Sequence, residues 1–478
     1  MGKYIHSGRS WDLSKSTVVC KFGGGTLASK QDFERAARII SAKPERVIAV
    51  VSAVQGVTDR LVHALEESRK SEGYAKVFAQ EFCALHNAIA RVDEIDALSQ
   101  KLESALFNSY AGHSPRQHDY VLSFGERASA ALLGHFVGKS CKVLDAETAG
   151  ITSNGIYGNA SCDVERTREK FGQALSENVA AKSFVVTGFY GVDHNGNVNV
   201  FGRGGSDYSA GVIAAVSGAS RLELYKDVDG FLAADPKMVK SPQLLECLSF
   251  SEASELGYFG AKIIHPRTFD PLSGTQTHVE IRPVGKPAQV GTIISESGEG
   301  MHVAAIASRK GVSLVEIYGG GMVNSFGVAA EIFSRMARSH ISVDAIATSQ
   351  TNISFTIDQA SSLRASQALE ALSLERPDVV WVFKVSDHQA MVSVVGGALS
   401  AEAISRAMLC LYKASVPIKM TSYGASKISF SAIVDLKDEQ NAVSALYSEF
   451  FGRGNVPNAA KVLVSKAKPA SKAKRKSK

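Results

Sequence analysis

Between Thr17 and about Ile293, short β-branched runs alternate with longer amphipathic stretches. Val18-Val19-Cys20, Arg46 to Val51, Ser183 to Thr187 and Arg221 to Tyr225 read as strands, while Asp32 to Ser41 carries helical periodicity. The small-residue stretch Ser209 to Val216 reads as a helix between two of those strands. Strands that alternate with helices pack as a mostly parallel sheet covered on both faces, an α/β architecture. Ligands of such sheets sit beyond the carboxyl ends of the strands, so chemistry is sought first in the residues that follow each run.

The pattern changes after residue 293. Laying Ile341-Ser342-Val343-Asp344 over Val416-Pro417-Ile418-Lys419, an offset of 75, brings Ile353-Ser354-Phe355 onto Ile428-Ser429-Phe430 without a gap. A helical stretch precedes each copy, Gly327 to Arg338 and Ala401 to Lys413. Residues 17–293 are expected to form one domain and residues 294–453 two βαββ-like units in tandem, although any two α/β units share some of that periodicity. Beyond Pro457 the chain is almost entirely Lys, Ala and Ser, too poor in apolar residues to fold. Residues 454–478 are therefore expected to be a disordered basic tail, and residues 1–16 a short leader.

Composition narrows the class. The 478 residues carry a formal charge of +6, but eight positive charges between Lys461 and Lys478 have no acid among them, which leaves the rest at −2. That balance gives no basic surface for nucleic acid. The six cysteines show no CxxC or zinc-finger spacing, which reads as free thiols in a reducing compartment. No apolar run approaches ~18 residues. The start, Met1 to His6, has neither a secretory apolar region nor the hydroxyl of a myristoylation signal, so a cytoplasmic protein without membrane partners is expected.

Three segments carry the chemistry. In Gly202-Arg203-Gly204-Gly205-Ser206-Asp207-Tyr208-Ser209-Ala210, glycines let backbone N–H groups approach an anion, Arg203 offers a planar fork for a carboxylate, and Asp207 can orient lysines or a metal. Lys21-Phe22-Gly23-Gly24-Gly25-Thr26 and Phe259-Gly260-Ala261-Lys262-Ile263-Ile264-His265-Pro266 add two lysines and further glycines. Together they point to phosphoryl transfer.

These motifs, in this order from about Val18 to Phe451, resemble the aspartokinases, members of the amino-acid kinase family that carry C-terminal tandem ACT domains with a ferredoxin-like fold. The resemblance implies ATP-dependent phosphorylation of L-aspartate on its β-carboxylate, with Mg²⁺ as cofactor and no metal ligand from the protein. Lys21 and Asp207 would be catalytic. Val51-Ser52-Ala53-Val54-Gln55-Gly56-Val57-Thr58-Asp59 resembles the loop whose Ser52 and Thr58 help hold nucleotide and amino acid, and Leu122-Ser123-Phe124-Gly125-Glu126-Arg127 the motif whose Glu126 takes the substrate ammonium. Arg203 would grip the α-carboxylate, with Gly204 and Ser206 beside it. Nucleotide binding would fall to Lys21, Gly23, Gly24, Gly25, Lys226, Asp227, Leu232, Lys237 and Lys262. A β-carboxylate with a pKa of about 3.9 is already ionised at neutral pH, so the reaction asks for charge neutralisation and no general base.

Plainer roles compete at several positions. Ser52, Thr58 and Asp207 are also good helix caps, Glu126 an ordinary first-turn charge, Lys262 a snorkelling surface lysine, and His265 before Pro266 a structural residue. The chain departs from the family pattern at Gly25, where threonine is usual, at Lys226, where threonine is frequent, and at Leu232, where an aromatic is frequent. Another amino-acid kinase, or a weakly catalytic amino-acid sensor, are the alternatives those departures leave open.

In the first regulatory unit Met322, Ser325, Gly327, Val343, Asp344, Thr348 and Ser349 match the family's lysine-sensitive branch, whereas Asn324, Phe326 and Gln350 do not. Lysine is the expected inhibitor, with Asp344 on an ammonium group. Lys419 stands at the equivalent place in the second unit, which should not bind a cation in the same way. A homodimer or higher homo-oligomer, without a dehydrogenase domain, acting at the first step of lysine, threonine and methionine synthesis, completes the expectation.

Overall fold

The computed structural model describes residues 16–71, 73–112, 114–259, 263–297, 303–319, 326–377 and 382–452. Lys262, Met322, Ser325, the basic tail and nearly all of the leader lie outside the described residues. Two compact units result. The first holds the described residues up to Pro236 and from Ser241 to 297, the second holds Lys237–Lys240 and those from 303 onward.

The first unit contains β1 (Thr17–Phe22), β2 (Arg46–Val51), β3 (Cys141–Leu144), β4 (Ser183–Thr187), β5 (Tyr190–Val192), β6 (Val198–Val200), β7 (Arg221–Lys226), β8 (Cys247–Ser249), β9 (His278–Pro283) and β10 (Thr292–Ser295). Among the described residues, eight of these form one sheet in the order β3-β4-β2-β1-β7-β9-β10-β8, with β5 and β6 paired separately. Neighbours in the large sheet are parallel except β9 with β10. Every residue of β1 is buried, as a strand covered on both faces requires. The helix Gly205–Ser217 is apolar nearly all round and correspondingly buried. Its small residues let neighbours close in: a Cβ on Gly211 would lie 2.3 Å from the Thr268 carbonyl oxygen.

In the second unit β11 (Val303–Tyr318), β12 (Val343–Thr348), β13 (Asn352–Asp358), β14 (Val382–Gly396), β15 (Met420–Tyr423) and β16 (Ser429–Asp435) form one antiparallel sheet, ordered β12-β13-β11-β14-β16-β15. The repeat appears as two separate cores. Ile353 and Phe355 of β13 pack with Val315 and Ile317 of β11, whereas Phe430 of β16 packs with Ile306 of β11 and Val392 of β14. The two units are thus interleaved and not simply consecutive: the first half of β11 serves the second core, and the second half serves the first. The changeover falls at a register shift between Arg309 and Val312, where Gly311 has φ +71°. Among the described residues no helix is long and apolar enough to cross a membrane, and all six cysteines are free.

Candidate active site

Parallel strands end together, so the sheet carries side chains from distant sequence positions to one edge. Lys21 and Phe22 close β1 beside Leu224 and Tyr225 of β7, and the Phe22 and Tyr225 rings stack with centroids 5.0 Å apart. Beyond that edge lies a cavity of about 370 Å³. Its lining takes in Lys21, Gly24, Gly25, Ser52, Thr58, Glu126, Arg203, Gly204, Ser206 and Asp207, ten of the residues singled out from the sequence.

Asp207 is the electrostatic centre. Only 7% exposed, it meets the Lys21 ammonium at 2.5 Å with Oδ1 and the Lys226 ammonium at 3.0 Å with Oδ2. Burial alone would raise its carboxyl pKa, but the two lysines outweigh burial and hold it well below the usual carboxylate range. Burial also pulls Lys21 below the ordinary lysine value, against the attraction of Asp207. The capping role for Asp207 does not hold, because the helix begins at Gly205 with Gly204 as its N-cap, φ +71°, and the carboxylate is taken by the lysines.

Glu126 stands in the first turn of the helix Phe124–Val137. Gly125 makes its reach possible, since a Cβ there would lie 2.7 Å from the Ala53 Cβ. Glu126 Oε1 accepts from the Ala53 N–H at 3.1 Å, and buried Oε2 makes no hydrogen bond among the described residues. Burial, opposed by that N–H, pushes the carboxyl up to about 8. A buried carboxylate with one unpaired oxygen facing a cavity is suited to an incoming cation. Arg203 is exposed at the same cavity and makes no ion pair among the described residues.

The remaining positions divide. Thr58 is not a cap: Gly56, φ +77°, precedes its helix and Thr58 lines the cavity. Thr26 spends its hydroxyl on the Gly23 carbonyl, which steadies the Gly24–Thr26 turn. A Cβ on Gly25 would meet nothing within 4 Å, so the missing threonine reflects no steric demand. Asp227 and Leu232 do not line the cavity, and Leu232 instead bridges Leu244. Lys237 belongs with the second unit, where Met238 packs on the second core and its carbonyl accepts from Gln440. Gln55 and Asp59, which stand in the Val51–Asp59 loop but had no role of their own, also line the cavity, as does Phe189, which no motif contains. Phe189, at φ +75° after Gly188, had that glycine as its one local signal.

Among the expected effector residues, Gly327, φ +81°, caps the helix Val328–Arg338, and Val343, Asp344 and Thr348 lie on edge strand β12, followed by Ser349. Asp344 is not free: the Arg309 guanidinium donates to it at 2.8 Å.

The amino acid kinase family model matches residues 16–283, and the ACT domain model matches residues 315–372 and 392–450. The ACT matches start inside β11 and β14, where the interleaved cores change over. Aspartokinase 3, chloroplastic, of Arabidopsis thaliana is 30% identical over 467 residues, which span 91% of this chain and 82% of the relative. Lysine-sensitive aspartokinase 3 of Escherichia coli (strain K12) is 28% identical over 449 residues, 91% of this chain and 99% of the relative. The crystal structure of E. coli aspartokinase III in complex with aspartate and ADP matches with a TM-score of 0.76 at 26% identity, covering 91% of this chain and 100% of that one. The chain belongs to the aspartokinases, the amino acid kinase family members that carry ACT domains, and is an aspartate kinase.

Proposed function

We propose that this aspartate kinase transfers the γ-phosphoryl group of ATP to the β-carboxylate of L-aspartate, giving 4-phospho-L-aspartate and ADP, as the first step toward lysine, threonine and methionine. The carrying observation is the cavity that joins exposed Arg203, the unpaired Glu126 oxygen and the Lys21–Asp207–Lys226 group. Arg203 holds the α-carboxylate, Glu126 the ammonium, and Ser52, Thr58, Gly204 and Ser206 line the space between them. The β-carboxylate then attacks the terminal phosphorus while ADP departs. Lys21 and Lys226 offset the charge of nucleophile and phosphate, and Asp207 keeps both ammonium groups in place. Gly23, Gly24 and Gly25 supply backbone that a nucleotide phosphate can approach closely, with Asp227, Leu232, Lys237 and Lys262 as further candidates on the nucleotide side.

Mg²⁺ fits this donor set as a partner of the nucleotide phosphates. Of the carboxylates lining the cavity, Asp207 already has both its oxygens on ammonium groups, so the metal's main ligands would be phosphate and water. When bound it would neutralise phosphate charge.

For control, we infer that an amino acid, with lysine favoured, binds the first regulatory unit near Met322, Ser325, Gly327, Val343, Asp344, Thr348 and Ser349, in a homodimer. Support comes from the similarity to the lysine-sensitive E. coli relative and from the acidic Asp344 on an edge strand. Free thiols throughout fit a reducing, cytoplasmic setting.

Purified protein given ATP, Mg²⁺ and hydroxylamine should form hydroxamate with aspartate, and not with glutamate or N-acetylglutamate. Turnover of either of those acids in place of aspartate would make the chain a different amino-acid kinase, and turnover of none would leave a sensor.

A further inference from the structure

Arg267 sits on the short turn Pro266–Thr268, outside the cavity lining, and no motif gave it a role. Its guanidinium donates from Nη1 to Asn159 Oδ1 at 3.0 Å and the Phe201 carbonyl at 2.8 Å. From Nη2 it donates to the Ala160 carbonyl at 2.7 Å and Ser161 Oγ at 3.3 Å. Its Cζ lies 4.6 Å from the centre of the Tyr208 ring. One planar cation therefore joins the 159–161 segment, the residue just before Gly202-Arg203, and the residue just after Asp207.

The same turn confines the intervening loop by sterics. Gly202 has φ +75°, and a Cβ there would lie 2.9 Å from Asn159 Oδ1. A Cβ on Gly204 would lie 2.3 Å from the His265 Cβ. Asn159 is held by the Arg267 side chain and the His265 ring by the Arg267 backbone N–H, which donates to its Nδ1 at 3.4 Å. Arg203 thus projects from a loop walled on two sides by residues that Arg267 fixes.

We propose that Arg267 is a positioning residue for substrate recognition: it touches no substrate, and sets the Gly202–Gly205 loop so that Arg203 meets the aspartate α-carboxylate. The inference rests on the assignment of Arg203 to that carboxylate. Lysine cannot replace the fork, because a point ammonium with three donors cannot serve four acceptors shared between two guanidinium nitrogens and also keep a cation over the Tyr208 ring. Displacement of a substrate-orienting group by about 1 Å can cost on the order of 10²-fold.

The test is a double-mutant cycle in steady-state kinetics, with thermal unfolding of each variant. Arg267→Lys should raise the aspartate KM roughly ten- to a hundredfold and leave the ATP KM within about twofold. In an Arg203→Ala background the same change should add almost nothing, since the loop then carries no carboxylate grip to misplace. Asn159→Ala, which removes one wall and leaves Arg267 intact, should show the same aspartate-selective loss if Arg267→Lys folds poorly. A merely structural Arg267 would disturb both KM values and multiply with Arg203→Ala, and that outcome overturns the proposal alone. If Arg203→Ala itself spares the aspartate KM, the carboxylate assignment falls and this proposal with it.

Discussion

With Glu126 as the proposed partner of the substrate ammonium, aspartate binding should be proton-linked, and the size of the effect follows from the surroundings of the carboxyl group. The side chain is 2% exposed and faces the Lys21 ammonium, Ser206 and the backbone N–H groups of Ala53 and Glu126 itself. Burial lifts its carboxyl from 4.5 to about 8, so in the empty site roughly one molecule in eleven carries the ionised form at pH 7. Under the proposed assignment the substrate ammonium binds the ionised form. The aspartate KM should therefore be about elevenfold above its high-pH limit at pH 7 and about twofold above it at pH 8, with a tenfold change per pH unit further down. Initial rates at saturating ATP from pH 6 to 8.5 measure this, and the ATP KM serves as the control. Glu126→Gln should raise the aspartate KM and abolish its slope. Stability runs with the same sign. The folded-state value exceeds the unfolded one, so the protonated carboxyl's contribution is complete below pH 4.5 and lost as pH rises through about 8. The full shift corresponds to at most about 5 kcal/mol. Ligand-free Glu126→Gln should accordingly out-melt the wild-type protein at pH 9 and not at pH 4.5. A pH-independent aspartate KM between 6 and 8, or a slope that survives in Glu126→Gln, would refute the reasoning.

Three further outcomes are expected. Lys21→Met and Asp207→Asn should each cut kcat by on the order of 10²-fold or more, but Asp207→Asn should unfold at lower temperature because it strands the buried Lys21 and the half-buried Lys226 ammonium groups where Lys21→Met leaves Asp207 paired with Lys226; equal unfolding temperatures would contradict the shared-carboxylate geometry. Lys226→Thr, which restores the residue frequent at this place in the family, should raise the ATP KM while costing less in kcat than Lys21→Met; an effect on the aspartate KM alone would move Lys226 to the other substrate. Asp344→Ala should relieve lysine inhibition without changing the uninhibited rate, whereas Arg309→Ala should lower the lysine concentration needed, within the ~5–150-fold range of allosteric coupling; dose–response curves that coincide with wild type for both would dismiss this effector site.

The alternation of β-branched runs and amphipathic stretches was enough to read the parallel sheet, because a strand buried on both faces needs an unbroken apolar run. Val18-Val19-Cys20 lies in a wholly buried β1, and the small-residue stretch from Ser209 lies in a helix buried at every position but Val216. Glycine-rich motifs likewise led to the cavity. Partnerships across the fold had no such local signal. Glu126 meets Ala53 at a separation of 73 residues, and does so because of the missing Cβ on Gly125. The ammonium of Lys226 meets Asp207 across 19 residues, and Arg267 reaches acceptors 66 to 108 residues away. Nor did the 75-residue repeat reveal interleaving, because the exchange occurs where β11 and β14 pair with each other, upstream of the repeated Ile353–Phe355 and Ile428–Phe430 segments.

Interleaving bears on how the proposed effector would be felt. In the first core the carboxylate of Asp344 is neutralised by Arg309 of β11, and in the second Lys419 meets Asp435 at 2.5 Å. The two repeats thus satisfy corresponding positions with opposite charge, and only the first presents a carboxylate that an ammonium group can claim. Its Oδ2 is already held by Arg309, so a ligand cation that claims this carboxylate competes with that arginine. That arginine opens the register shift through which β11 passes from one core to the other, two residues before Gly311. Releasing it would therefore act on a strand that both regulatory cores share, whereas binding at an edge-strand group without such a partner would leave the second core untouched. A ligand shifts an equilibrium only by its differential affinity for two states, and exchange of Arg309 for a ligand cation at Asp344 provides two states that differ at an identified contact.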